Sequence, residues 1–198
     1  KHLYYAVADA KKLPDQVEQM HYHLMRVPFD ASTNTFGQTD TLYNAHVQGG
    51  SVSYPRISAD GRYLLYTWSE YGTFPIWHQD ADLWMIDLKS KQVECMDIWN
   101  SESTESYHSW SSNGRWVVFS SRRMDGLYTR PYIAYIGQDN RIGKPFILPQ
   151  ESGNFYSLFM NSYNIPEMVK SRVELSRREL LDKLFDDEVL KVVPSFIN

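Results

Sequence analysis

Three potential metal ligands alternate along one short segment of the chain. In the segment WHQDADLW, His78, Asp80 and Asp82 are spaced two residues apart. Alternate side chains of an extended strand point to one side, so an imidazole and two carboxylates would face a shared cation. The alternative is that Asp82 begins a strand while His78 and Asp80 lie in an exposed hairpin loop. We favour this alternative, because three mixed ligands without a fourth make a poor hard-cation site.

A second pattern combines an acid, a glycine and a base, and it occurs twice. The residues are Asp60, Gly61 and Arg62 in the first copy and Asn113, Gly114 and Arg115 in the second. The acid of the first copy is an amide in the second, so its charge is not what the pattern retains. Asp-Gly and Asn-Gly pairs both tolerate the positive φ of a tight hairpin turn. We therefore interpret these six residues as structural turns of a repeat.

The two turns belong to longer matching segments that lie 53 residues apart. SYPRISADGRYLLYT, from Ser53, resembles SYHSWSSNGRWVVFS, from Ser106. A self-match at a fixed spacing is the sequence signature of a repeat architecture. Each copy also contains a third and a fourth segment with strand character. The first copy has these at Asp82–Leu88 and 92–98, and the second has them at 131–136 and 144–149. Four antiparallel strands in each unit are typical of a propeller blade.

The amino-terminal region fits the same scheme without its first strand. Strand-like segments occur at His2 to Ala8, Tyr22 to Phe29 and Thr35 to Tyr43. The sequence thus predicts an all-β fold of two complete four-stranded blades plus part of another, with boundaries near 1–45, 50–99 and 104–149. Residues 1–150 form a partial propeller in this prediction. The opening KHLYYAVADA reads as though it begins inside a strand, so we expect a fragment or a processed product.

The strand pattern stops after residue 150, and residues 151–198 are predicted to form a tail. Ser176 and Glu179 have the spacing of a capping box, and leucines follow at helical spacing. The pattern predicts a short helix near 177–185 and a possible strand from Leu190 to Val193.

Inner strands of propeller blades line the central channel where ligands usually bind. Tyr54 and Arg56 lie at the predicted inner strand of one blade, and Tyr107 and His108 lie at that of the next. These four residues are our candidates for a ligand site on the channel face. The alternative, which we favour for Arg56 and His108, is that they satisfy backbone carbonyl groups between blades.

Composition excludes several classes of function. The net charge is −4 and no basic run exceeds two residues, so no nucleic-acid footprint is visible. Cys95 is the single cysteine, which excludes an internal disulfide and a Cys-based zinc or redox motif. GGSVS at 49–53 lacks the order of a nucleophile elbow, and no other catalytic motif is present. No apolar run has the length of a membrane span, and no cofactor is predicted.

The repeats resemble the WD40-like PD40 repeats of TolB-type β-propellers. The resemblance rests on PRISADGRYLLYT followed by DLWMIDL and on HSWSSNGRWVVFSSRR; it covers residues 53–149 well and 1–43 weakly. The segment SRRMDGLYTRPYIAYI, with the later SYNIPE, is similar to a group of propeller proteins from Bacteroidetes, mostly of unassigned function.

This resemblance implies a periplasmic or cell-surface binding scaffold without enzymatic activity. Its partners would be proteins or other cell-envelope components, and it would associate with another copy or with the remaining blades of its parent protein. The alternative is the propeller part of a larger hydrolase, a peptidase of the prolyl oligopeptidase type or a glycan-processing enzyme, whose catalytic domain is not in this chain.

Overall fold

The computed structural model describes residues 1–8, 15–172 and 174–185, and these residues form three antiparallel sheets with few helices. The first sheet contains β1 (His2–Val7), β2 (His23–Asp30), β3 (Thr35–Phe36) and β4 (Asp40–Tyr43). The second contains β5 (Ser51–Ile57), β6 (Tyr63–Ser69), β7 (Asp82–Asp87) and β8 (Val93–Cys95). The third contains β9 (Glu105–Trp110), β10 (Trp116–Ser121), β11 (Arg130–Tyr135) and β12 (Phe146–Ile147). In the second and third sheets the strands are adjacent in chain order, as in propeller blades.

Strand β6 supplies the apolar core on both of its faces. Leu65 packs with Phe119 and Trp99 in the core between the second and third sheets. Leu64 and Tyr66 pack with Val52 and Leu24 in the core towards the first sheet. Successive side chains of a strand point to opposite faces, so a continuous apolar run serves two interfaces at once. This explains why RYLLYTW does not alternate with polar residues.

The repeated turns have the same hydrogen bonds in both copies. Oδ1 of Asp60 accepts hydrogen bonds from the Ser58 hydroxyl (2.6 Å) and the Arg62 amide (3.1 Å). Oδ1 of Asn113 accepts equivalent bonds from Ser111 (2.6 Å) and Arg115 (3.0 Å). A single acceptor oxygen is needed, and a carboxylate and an amide both provide one, so the acid and the amide are interchangeable.

The turns differ from the predicted two-residue hairpins. Residues 58–62 and 111–115 connect the strands, and only Gly61 and Gly114 have positive φ, at 74° and 66°. The preceding Asp or Asn stabilises the turn through its side chain, as in an Asx turn. The two arginines that follow are used differently: Arg62 forms an ion pair with Asp87, whereas Arg115 donates to the Gly137 carbonyl group.

The first sheet is three strand positions wide. Both β3 and β4 pair with β2, so the predicted continuous strand from Thr35 to Tyr43 is interrupted between Phe36 and Asp40. The Gly37 amide donates to the Pro28 carbonyl group at this interruption. In the described residues β1 pairs only with β2, and no strand occupies the position that β5 and β9 hold in the other sheets.

The chain after the third sheet divides into two parts. Residues up to Met168 belong to the same compact unit as the sheets, and a second unit begins at Val169. Helix α2 (Phe155–Leu158) lies in the first unit, as does the short α1 (Ala45–Gln48). Helix α3 (Arg177–Leu184) lies in the second, and the Ser176–Glu179 capping box is formed at its start. The predicted strand from Leu190 to Val193 lies outside the described residues.

No described helix combines the length and apolar character that a bilayer crossing requires.

Candidate functional site

The inner strands β5 and β9 each contain a bulge centred on a tyrosine. The register of β5 against β6 shifts between Ser53 and Arg56, and that of β9 against β10 shifts at the equivalent position. Tyr54 and Tyr107 have φ values of 53° and 46° at these bulges. Bulky residues seldom adopt positive φ, and such strain is concentrated at functional sites. The strain occurs twice, at matching positions of the repeat.

The two tyrosine rings lie together beside a pocket. Their centroids are 4.7 Å apart, with the ring planes inclined by 39°. Burial raises the pKa of Tyr54, and the Tyr107 hydroxyl group contributes in the same direction. A cavity of about 280 Å³ adjoins the rings. Its other lining residues are Ala6, Tyr22, Ser53, Gly72, Phe74, Pro75 and Ile76. Aromatic walls with phenol hydroxyl groups are suited to an amphipathic ligand or peptide side chain.

His108 is the next residue after Tyr107, but it points into the protein. It is 2% exposed, and its Nε2 lies 2.9 Å from the Leu65 carbonyl oxygen of the neighbouring sheet. A carbonyl oxygen only accepts hydrogen bonds, so Nε2 carries a proton. Burial lowers the pKa of His108 to about 4. This is the contact between blades that the alternative interpretation of His108 describes.

Arg56 is exposed and lies outside the tyrosine pocket. Its guanidinium group is 3.4 Å from Glu167, and its carbonyl oxygen accepts a 3.0 Å hydrogen bond from the Trp110 indole. The structure thus brings Tyr54 and Tyr107 into one site and places Arg56 and His108 elsewhere.

The three potential metal ligands separate into a loop pair and a strand residue. The His78 ring and the Asp80 carboxylate are 3.9 Å apart, and Asp80 also accepts a 2.5 Å hydrogen bond from the Glu70 amide. Asp82 begins β7, and burial raises its pKa to about 6, with Glu105 contributing next. Within residues 1–8, 15–172 and 174–185, no three His, Cys, Asp or Glu side chains converge as a metal site would require.

Sequence reasoning missed a buried carboxylate at the start of β9. Glu105 is fully buried, and its Oε1 accepts hydrogen bonds from the hydroxyl groups of Ser101 and Ser121, both at 2.7 Å. Arg123 pairs with the same oxygen at 3.1 Å. Burial raises the pKa of Glu105, whereas the serines and Arg123 act in the opposite direction. One signal was available in the sequence: at the 53-residue spacing Arg123 corresponds to Glu70, so the arginine that pairs with Glu105 is not itself repeated.

Comparison with known proteins gives information about the fold of this chain. No protein-family model matches the chain, and no curated protein matches it. TolB from Acinetobacter baumannii matches with a TM-score of 0.50 at 17% identity, over 75% of this chain and 29% of the TolB chain. Hydrazine synthase from Kuenenia stuttgartiensis matches with a TM-score of 0.42 at 11% identity, over 68% of this chain and 37% of its own.

The chain spans less than a third of the TolB structure that it matches. An identity of 17% supports a statement about architecture but none about ligands. Together with the three antiparallel sheets and their shared cores, it leads to one conclusion. The chain has a TolB-like fold of the β-propeller type.

Proposed function

We propose that this chain is a non-enzymatic binding module whose ligand contacts the paired tyrosines of the inner strands. The observation that carries the proposal is the repeated bulge, which holds Tyr54 and Tyr107 at positive φ with their rings in contact. A strained conformation built twice at one place is difficult to explain by packing alone. Binding of a ligand side chain against the paired aromatic rings would explain why the strained conformation is retained.

The wider setting is also part of the proposal. The chain acts outside the cytoplasm, in the periplasm or at the cell surface, and it binds a protein or another cell-envelope component. The TolB-like fold and the PD40-type turns support this assignment. The alternative is a propeller that serves a hydrolase domain elsewhere in a longer protein. No contact among the described residues supports it.

A photo-cross-linking experiment tests the tyrosine site. Tyr107 is replaced by photoreactive p-benzoylphenylalanine, and the chain is irradiated with an envelope extract. We expect one discrete adduct, identified by mass spectrometry, whose yield falls at least severalfold when Tyr54→Ala is added. The matched control places the same group at Tyr135, which is 38% exposed on β11. Equal adducts from positions 107 and 135, or no effect of Tyr54→Ala, would contradict the proposal.

The unpaired edge of β1 leads to a separate prediction about association. An exposed strand edge with free amide and carbonyl groups is a template for pairing, and proteins normally cover it. We therefore propose that the chain associates with a second copy or with further blades of a longer protein. Light scattering of the isolated chain is expected to show a dimer or larger species. Charged replacements in β1, such as Leu3→Lys, should weaken this association, whereas a stable monomer at all concentrations would refute it.

A further inference from the structure

Residues 15–22, which precede β2, lie beside the loop between β6 and β7, and the loop between β10 and β11 contacts that loop in turn. The Gly72 amide donates to the Met20 carbonyl oxygen at 2.6 Å, and the Thr73 hydroxyl donates to the Val17 carbonyl oxygen at 3.0 Å. These loops expose several large apolar side chains, and we call this surface the loop face. Its exposed apolar residues are Val17, Phe74, Trp77, Met124 and Leu127. Contiguous exposed apolar surface of this kind marks an interaction site.

One cation within the loop face, Arg122, forms no ion pair among the described residues, although the Asp125 charge acts on it at longer range. The Arg122 guanidinium carbon lies 3.8 Å from the centroid of the Trp77 ring. Arg122 is 6% exposed, and its Nε has no hydrogen-bond partner in the described part of the chain. No carboxylate of the described residues lies within ion-pair distance of it. A buried guanidinium N–H group without an acceptor is costly, so the retention of Arg122 here needs a reason.

The neighbouring charges are already used. Arg123 pairs with Glu105. The Asp125 carboxylate lies 3.6 Å from Arg130 and accepts two backbone amides of its own loop. Arg122 is therefore the arginine of this loop that forms no ion pair among the described residues. A cavity of about 400 Å³ lies beside it. Its walls include Ser101, Glu102, Ser103, Arg122, Met124 and Gly126.

We propose that this cavity binds a carboxylate of an extended, acidic segment of a partner protein. Arg122 contacts the carboxylate oxygens through its planar guanidinium fork, which suits bidentate pairing. The Trp77 ring stacks on the guanidinium group and restricts its orientation. Apolar side chains of the same segment lie against the exposed residues of the loop face. Arginine and tryptophan together are the residues that most often dominate protein interfaces.

Charge favours a carboxylate over a phosphate group. Glu102, Arg123 and Asp125 also line the cavity, and Arg123 is already paired with the buried Glu105. A phosphate group carries up to two negative charges and would be repelled more strongly by these acids than a carboxylate. The apolar surface around the cavity would add nothing to the binding of a free inorganic anion. A polypeptide that alternates acidic and apolar side chains matches both features.

The test uses fluorescence anisotropy of labelled peptides with the full chain. The probes are a hexapeptide that alternates leucine and glutamate, its glutamine isostere, and unlabelled inorganic phosphate as a competitor. We expect saturable binding of the glutamate peptide and about tenfold weaker binding by Arg122→Lys, because an ammonium group cannot make the bidentate contact. Trp77→Ala, at a side chain that is 66% exposed, should weaken binding severalfold without unfolding the chain.

Matched variants separate this site from others. Arg141→Gln removes a cation that is 90% exposed elsewhere, and Tyr107→Ala removes half of the tyrosine pair; both should bind the peptide as the unmodified chain does. Any one of four results would overturn the proposal. These are equal binding of the glutamine peptide, full competition by phosphate at the peptide's concentration, unchanged affinity of Arg122→Lys and Trp77→Ala, and no binding at all. Loss of binding in Tyr107→Ala alone would also overturn it, since the peptide would then occupy the tyrosine site.

Discussion

Replacing Arg130 by methionine is expected to lower the free energy of unfolding by about 3 to 5 kcal/mol. Arg130 is 1% exposed, and its guanidinium group donates to the carbonyl oxygens of Asn161 (2.7 Å), Tyr156 (3.0 Å) and Phe159 (2.8 Å). Methionine fills much of the volume but donates no hydrogen bond. Three carbonyl groups lose their donor in a buried setting, and Asp125 loses its cation. Urea denaturation followed by circular dichroism measures the change.

The same contact predicts where the structure opens. Arg130 attaches residues 155–163 to the third sheet. Two hydrogen bonds between Thr129 and Tyr163 assist it: the Thr129 hydroxyl donates to the Tyr163 carbonyl oxygen, and the Tyr163 amide donates to the Thr129 carbonyl oxygen. In Arg130→Met we expect the amides of this segment to exchange with deuterium before those of β10. Arg130→Lys should lose less stability, because an ammonium group still supplies donors. Arg141→Met, at an exposed arginine, should change stability by less than about 0.5 kcal/mol. A similar stability of Arg130→Met and Arg141→Met would contradict the assigned role.

Acid is expected to destabilise the chain through His108. Its pKa in the folded chain is about 4, below the ordinary value of 6.5, because the ring is buried and the Arg56 charge acts in the same direction. The unfolded chain therefore binds a proton between pH 6.5 and 4 that the folded chain does not. The contribution of His108 to stability is full above pH 6.5 and falls as the pH drops towards 4, by about 2 to 3 kcal/mol between pH 7.5 and 4.5.

His108→Gln removes this titration while its amide still donates to the Leu65 carbonyl oxygen. The variant should show a weaker dependence of unfolding free energy on pH across this range. Asp82 provides a control of opposite sign, since its raised pKa of about 6 contributes stability at low pH that is lost as the pH rises through 6. Asp82→Asn should therefore steepen the loss of stability in acid. An identical pH dependence in His108→Gln and the unmodified chain would disprove the assignment.

Local features of the fold were predictable from sequence. The repeated turns depend on residues within five positions of each other, so the 53-residue spacing located both of them and the strands that they join. The capping box before α3 is equally local. The interruption between β3 and β4 was not predictable, because it depends on how residues 35–43 meet the far end of β2.

The candidate site was predictable only in part. Position in a repeat was enough to select Tyr54 and Tyr107, because inner strands recur at the same place in each copy. It could not separate Tyr107 from His108, since a bulge in β9 decides which neighbour faces the pocket and which faces Leu65. Pairing of the two rings requires β5 and β9 to be neighbours, which is a property of the packed sheets.

The loop face shows most clearly which features sequence determines and which depend on tertiary structure. Sequence alone determined that the chain is built from repeated four-stranded units and that Asp60 and Asn113 serve turns, because hydrogen bonds within a turn and the alternation of a strand are short-range. Only the tertiary structure brought Arg122 onto Trp77, two residues that belong to loops of different sheets. Their contact depends on the packing of one sheet against the next, and that packing is set by the summed burial of many apolar side chains.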